Sequence, residues 1–212
     1  MKRILIILLC FALYYSCGKS SMQFTDAEKS LIYDGDETRG MRILLTTDRR
    51  DSLFLRQLSS NIDIKKNKKE LQHLIERMRV TLKNSDGVGL AAPQVGISRN
   101  IFLFTRYDKP GFPVEVVINP QILSYSFNKV AFSGDGCLSI PDLWGVTERN
   151  ETVQVRYYNA NNELIEEKIK GHQRPQDFTS IIFQHEFDHL EGVLFTDRIS
   201  GGMLYNILQI SK

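Results

Sequence analysis

The sequence predicts an α+β domain in which mostly antiparallel strands pack around a C-terminal helix. Two observations carry that expectation. Runs enriched in β-branched and apolar residues, bounded by Asn, Pro and Gly, fill residues 114–119, 121–125, 152–158 and 164–170. One amphipathic helical pattern precedes these strands and one apolar-rich helical run, residues 178–195, follows them. The chain has 212 residues, 42% of them hydrophobic and 25% charged, which suits one globular domain with a full core.

Taken in order, Met1-Lys2-Arg3 and the apolar residues 4–15 form a basic start and a short hydrophobic stretch. That stretch is below the about 20 residues needed to span a bilayer and has the layout of an export signal. Ser16-Cys17-Gly18 resembles the cleavage box of bacterial lipoproteins, with Tyr14 where Leu or Val is usual. Residues 1–17 are therefore expected to be a signal with Cys17 as a point of lipid attachment to membrane. That places the protein in the cell envelope if the signal functions and in the cytoplasm otherwise. Residues 18–40 are polar and aperiodic and are expected to be a tether.

The domain is expected to span residues 41–200, opening with a short strand at residues 42–46. The basic run at residues 65–69 reads as a solvated helix start. Leu71, Leu74, Ile75, Met78 and Leu82 recur at helical spacing over residues 70–83. Residues 87–92 fit the pattern G-x-G-x-x-A, but a helix precedes them and a strand-like segment, residues 100–105, follows. A dinucleotide fingerprint needs the reverse order and is excluded. These small residues allow a second backbone to approach closely, as an extended peptide would, with Gln94 as a polar reporter. Residues 159–162 make a hairpin turn and residues 201–212 a short tail. The net charge of +2 and the single basic residue of that tail give no reason to expect a nucleic acid partner.

The chemistry-bearing stretch is His185-Glu186-Phe187-Asp188-His189, an H-E-x-x-H sequence inside the last helical run. On a helix, His185 and His189 share a face and can offer two imidazole nitrogens to one divalent metal, with Glu186 beside them. A hydrolytic centre needs a third protein ligand and an open position. The longer pattern H-E-x-x-H-x-x-G-x-x-H matches as far as Gly192 but ends on Phe195, which binds no metal. The third ligand is thus expected upstream, among Cys137, His172, His73 and the carboxylates. With Cys10 and Cys17 in the signal, Cys137 has no disulfide partner in a processed chain.

Residues 87–94, 135–139 and 185–189 together resemble the three signatures of the peptide deformylases, G-x-G-x-A-A-x-Q, E-G-C-L-S and H-E-x-D-H. The resemblance covers roughly residues 42–198. It implies Cys137, His185 and His189 as metal ligands, Glu186 as general acid/base, and Gln94 with the Leu138 backbone N–H as donors to the oxyanion. It further implies Val88, Gly89 and Ile182 around the substrate's methionine side chain, and one divalent metal, Fe(II) favoured with Zn or Ni as substitutes. The implied substrates are N-formyl-methionyl peptides. One position departs from the pattern: Asp135 replaces Glu. The carboxylate is expected to pair with Arg149, and its shorter arm to loosen the loop. Two other readings remain open at this point, a general metallopeptidase and an exported lipoprotein using the fold as a peptide-binding module. Oligomeric state is not legible.

Overall fold

A computed structural model describes residues 22–206. In chain order the elements are α1 (Asp26–Ile32), α2 (Arg49–Leu55), α3 (Lys68–Asn84), β1 (Gly89–Ala91), a 3-10 turn (Ala92–Val95), β2 (Ile101–Thr105) and β3 (Val114–Tyr125). There follow β4 (Lys129–Cys137), β5 (Ile140–Asn150), β6 (Val153–Tyr158), β7 (Leu164–Ile169), α4 (Thr179–Leu190), a second 3-10 turn (Phe195–Arg198) and β8 (Ile199–Asn206). The strands form two antiparallel sheets, one in the order β1-β2-β3-β6-β7 and one in the order β4-β5-β8. The expected α+β class and the C-terminal helix packed on sheet are both found.

Strand β2 explains why the two long helices lie where they do. Its side chains alternate between faces. Ile101 and Leu103 join Leu71, Leu74, Ile75 and Met78 of α3 in one core, while Phe102 and Phe104 join Ile181, Ile182 and Phe183 of α4 in another. Phe183 meets Phe102 and Phe104 edge-on at ring-centroid distances of 5.0 and 5.4 Å, the arrangement aromatic quadrupoles favour. Being covered on both sides, β2 is apolar throughout rather than alternating, and α4 is buried on nearly all its faces. The helix ends where Gly192 turns left-handed. Val193 N–H then bonds Asp188 C=O and Gly192 N–H bonds His189 C=O, the pair of bonds that closes a Schellman turn. The glycine of the extended metal pattern thus caps the helix.

Four expectations are corrected. Residues 42–46 are not a strand: they are irregular and enter a turn at Thr46, with Leu44 N–H bonding Gln94 C=O and Thr46 N–H bonding Ser139 C=O. Residues 114–119 and 121–125 are one strand rather than two, with a register shift at Asn119, whose φ is +52°. The expected tail contributes β8 as far as Asn206. From residue 22 onward, the expected tether is folded domain. Its helix α1 starts on a capping box formed by Thr25 and Glu28, and it buries Phe24 and Ile32. The proposed signal and Cys17 lie outside the described residues.

The N-terminal segment is held by charge as well as by apolar contact. Buried Arg99 donates to both Glu28 carboxylate oxygens, Nε to Oε1 at 2.9 Å and Nη2 to Oε2 at 2.7 Å. Burial pushes the Glu28 carboxyl up, but Arg99 and Thr25 more than offset it, so its pKa lies below the ordinary value of 4.5. A carboxyl with a lowered folded-state pKa contributes stability above its unfolded pKa and loses it as pH falls through the folded value. Removing one partner of a buried pair costs about 3 kcal/mol or more. Glu28→Ala is therefore expected to lower the unfolding temperature at pH 7. The gap to the parent should narrow as pH drops below 4.5, as circular dichroism melts at several pH values would show.

Candidate metal centre and active site

Three separate segments deliver the site. Strand β4 ends on Cys137, residues 138–139 make a two-residue turn, and Ile140 opens β5 directly opposite Cys137. The sulfur therefore sits at a rigid hairpin end. Helix α4 supplies His185 and His189, whose rings lie 5.1 Å apart as residues one turn apart must. The ligand atoms of Cys137, His185 and His189 all fall within 4.8 Å of one another, and Cys137 Sγ is 3.2 Å from His189 Nε2. The other upstream candidates lie elsewhere: His73 bonds Gly35 C=O at 2.8 Å, and His172 faces Glu151 at 3.9 Å. Phe195 is buried with its ring stacked 6.4 Å from that of His185, so it packs behind a ligand.

One sulfur and two imidazoles, converging and largely buried, fit a divalent transition metal. The surroundings prepare them for it. Asp135 Oδ1 lies 2.9 Å from His185 Nδ1, which turns the other ring nitrogen toward the cluster. Burial, reinforced by the charges at His185 and Arg149, pushes the His189 pKa well down and leaves its imidazole neutral, as a ligand must be. The His185 pKa is raised: burial alone would lower it, but the Asp135 carboxylate and Cys137 outweigh burial. His189 Nδ1 and Glu186 Oε2 are buried without a hydrogen-bond partner among the described residues.

Asp135 holds more than the histidine. Its Oδ2 accepts from Thr147 Oγ1 at 2.7 Å and from Arg149 Nε and Nη2, each at 3.1 Å, while Arg149 Nη1 reaches Asp188 at 2.8 Å. The expected pairing with Arg149 is present. Strand β4 shifts register between Ser133 and Asp135, with Gly134 at φ +80°, a conformation that favours glycine. Asp135 thus stands directly after an irregularity of the strand.

Gln94 is placed by its own turn. Its Oε1 accepts the Ala91 N–H at 2.9 Å; its Nε2 donates to Ser139 Oγ at 3.2 Å and lies 3.5 Å from Cys137 Sγ. The amide thus faces the sulfur, beside the Leu138 turn. Glu186 is 4% exposed, and burial pushes its pKa up to about 7. A Cβ at Gly89 would overlap the Glu186 carboxylate, so only glycine lets β1 pass this close. A cavity of about 440 Å³ joins Val88, Gly89, Gln94, Leu138, Ile182 and Glu186. Its apolar wall also includes Phe132, Phe178 and Ile181, and Arg174 borders it. Sequence reasoning missed these four as site residues. Ile181 was findable, since it precedes His185 by one helical turn; Phe132 and Arg174 lie on segments with no periodic signal.

A model of the polypeptide deformylase family matches residues 42–203. The chain belongs to the polypeptide deformylase family. Among its relatives is a peptide deformylase of Thermotoga neapolitana, 46% identical over 129 residues, or 61% of this chain and 72% of that one. One from Desulforudis audaxviator is 36% identical over 136 residues, 64% and 82% of the two chains. The crystal structure of peptide deformylase from Thermotoga maritima superposes with a TM-score of 0.64 at 38% identity, covering 76% of this chain and 99% of that one. The Met-Ala-Ser-bound class I type b enzyme of Acinetobacter baumannii superposes at 0.65 with 31% identity over the same shares. Peptide deformylases are metal-dependent hydrolases, and the cluster of Cys137, His185 and His189 could hold the metal.

The Asp135 contact with His185 makes a testable point. Removing a partner that orients a ligating imidazole typically costs about 10-fold to 100-fold in metal affinity. Asp135→Asn is expected to weaken metal binding by about tenfold in competition with a chromogenic chelator. Unchanged affinity would contradict the assigned role.

Proposed function

We propose that the chain hydrolyses the N-formyl amide of formyl-methionyl peptides, releasing formate and a free N-terminal methionine. The observation that carries this is the convergence on one cavity of Cys137 and His185 of the sulfur and imidazole cluster, the buried Glu186 carboxylate and the fixed Gln94 amide. A divalent ion bound there, iron(II) by family resemblance with zinc or nickel as substitutes, would lower the pKa of a coordinated water from about 15.7 toward 7. Glu186 takes the proton of the attacking water; a carboxyl with a pKa of about 7 is matched to both accepting and returning it. Gln94 Nε2 and the Leu138 N–H donate to the substrate oxygen as charge develops on it. Glu186 then delivers the proton to the departing amine nitrogen. Val88, Gly89 and Ile182, with Phe132, Phe178 and Ile181, enclose the methionine side chain. The Acinetobacter structure's bound Met-Ala-Ser is the kind of peptide such a reaction leaves behind.

A general metallopeptidase would draw its third ligand from a residue other than Cys137, and the geometry favours Cys137. A binding module without catalysis leaves the buried Glu186 carboxylate beside the cluster unexplained. We further propose that residues 1–17 direct export and that Cys17 anchors the chain to membrane, on the strength of the basic start, the apolar stretch and Ser16-Cys17-Gly18. With folded domain from Met22, the link from Cys17 spans at most about 18 Å, so an anchored domain would lie close to the bilayer. Recovery from cytosol with the N-terminus uncleaved would exclude this location.

The reaction is tested by formate release from formyl-Met-Ala-Ser by the full chain prepared without oxygen. Glu186→Ala is expected to bind metal and release no formate. Gln94→Ala should lose about 100-fold to 1,000-fold in rate with metal retained. A loss below threefold would remove Gln94 from the mechanism.

A further inference from the structure

We propose that Arg174 reads a carboxylate at the third residue of the peptide, making the chain selective for formyl-peptides that end or carry an acidic side chain there; this rests on the deformylase reading. The guanidinium carbon of Arg174 lies 4.7 Å from the Phe178 ring centroid and 5.3 Å from that of Phe132, and those two rings stack on each other at 5.8 Å. Contact with rings engages the flat face of a guanidinium and leaves its in-plane N–H groups free for an acceptor. Among the described residues no carboxylate pairs with Arg174, and the side chain is exposed. The loop that carries it is closed at its base, Gln173 and Asp177 exchanging N–H···O=C bonds of 2.7 and 3.0 Å. The one nearby acid on that loop, Asp177, is taken by the N–H and hydroxyl of Thr179.

Position then selects the substrate residue. Strand β1 is the edge of its sheet and borders the cavity, so a peptide can lie along it extended. In an extended chain the first and third side chains share a face, about 7 Å apart. With the first side chain against Ile182, the third falls over the rim formed by Phe132, Phe178 and Arg174. Among the described residues Arg174 is the only Lys or Arg bordering the cavity, whereas Asp86 and Asp142 border it elsewhere. A carboxylate is therefore favoured at this rim and disfavoured toward those acids.

The test compares kcat/KM for formate release by the full, metal-loaded chain on four peptides: formyl-Met-Ala-Ser, its C-terminal amide, and the amides of formyl-Met-Ala-Glu and formyl-Met-Ala-Lys. The first and third should exceed the second and fourth by about five- to tenfold, the range for a charge-assisted bond at an exposed site. In Arg174→Ala the ratios should fall to about one, and in Arg174→Glu the Lys peptide should become the best of the amides. Preference for the free acid alone would assign the ligand to the peptide's C-terminus, and preference for the Glu amide alone to the side chain. Equal parent rates on all four, ratios that survive in Arg174→Ala, or a uniform loss in both variants would overturn the proposal and leave deformylation standing. Release from none of the four by metal-loaded parent would refute the deformylase reading and this proposal with it.

Discussion

A buried carboxylate organises the working face of this molecule. Asp135, 4% exposed, stands between Thr147 and Arg149 of β5 and His185 of α4, and Arg149 continues to Asp188 on the same helix. Arg198, the last residue of the 3-10 turn before β8, donates to Asp188 from the other side. One ionic chain thus joins the three-stranded sheet to the helix that carries the metal motif. Buried pairs of this kind stabilise little against an apolar replacement, but breaking one leaves a stranded charge at a cost of about 3–5 kcal/mol. Their value here is geometric: they fix where the hairpin end at Cys137 meets the imidazoles.

The remaining site features follow from that junction. Once α4 is pinned, the 3-10 turn after β1 places Gln94 against Ser139 and Cys137, and Leu44 and Thr46 bond the carbonyls of Gln94 and Ser139. Close approach of β1 to the helix requires a glycine at position 89. The result is a cavity whose three parts differ in chemistry. One end gathers Cys137, His185 and Glu186, the wall is aromatic and aliphatic, and the rim carries Arg174, which pairs with no carboxylate among the described residues.

Much of this was legible in the sequence where one physical rule acts alone. The helix through Leu71 and Met78, the strands at β2, β6 and β7, and the two histidines follow from burial with period 3.6, burial in a strand, and ligand spacing. The three-stranded sheet was hidden because its strands serve the site. Bulges interrupt β4, glycines 134 and 136 and polar Asp135 replace apolar alternation, and β8 carries Gly201 and Gly202 in a mostly exposed run. Residues 22–40 looked like a tether because their partners are distant in sequence: Arg99 pairs with Glu28 across 71 residues, and Arg77 donates to the carbonyls of Leu31, Ile32, Arg39 and Gly40. Residues 42–46 looked like a strand because Ile43, Leu44 and Leu45 are apolar in a row, yet their backbone partners, Gln94 and Ser139, lie in turns, which no local pattern announces. The partners of Asp135 beyond Arg149, namely His185 and Thr147, lie 50 and 12 residues away and carry no local signal.

The central claim is that Cys137, His185 and His189 form one metal site. X-ray absorption at the metal edge of the full chain loaded with zinc tests it most directly. The account predicts one sulfur scatterer at about 2.3 Å and two imidazole nitrogens at about 2.0–2.1 Å, with the sulfur lost in Cys137→Ser. A shell of nitrogen and oxygen alone in the parent chain would contradict it.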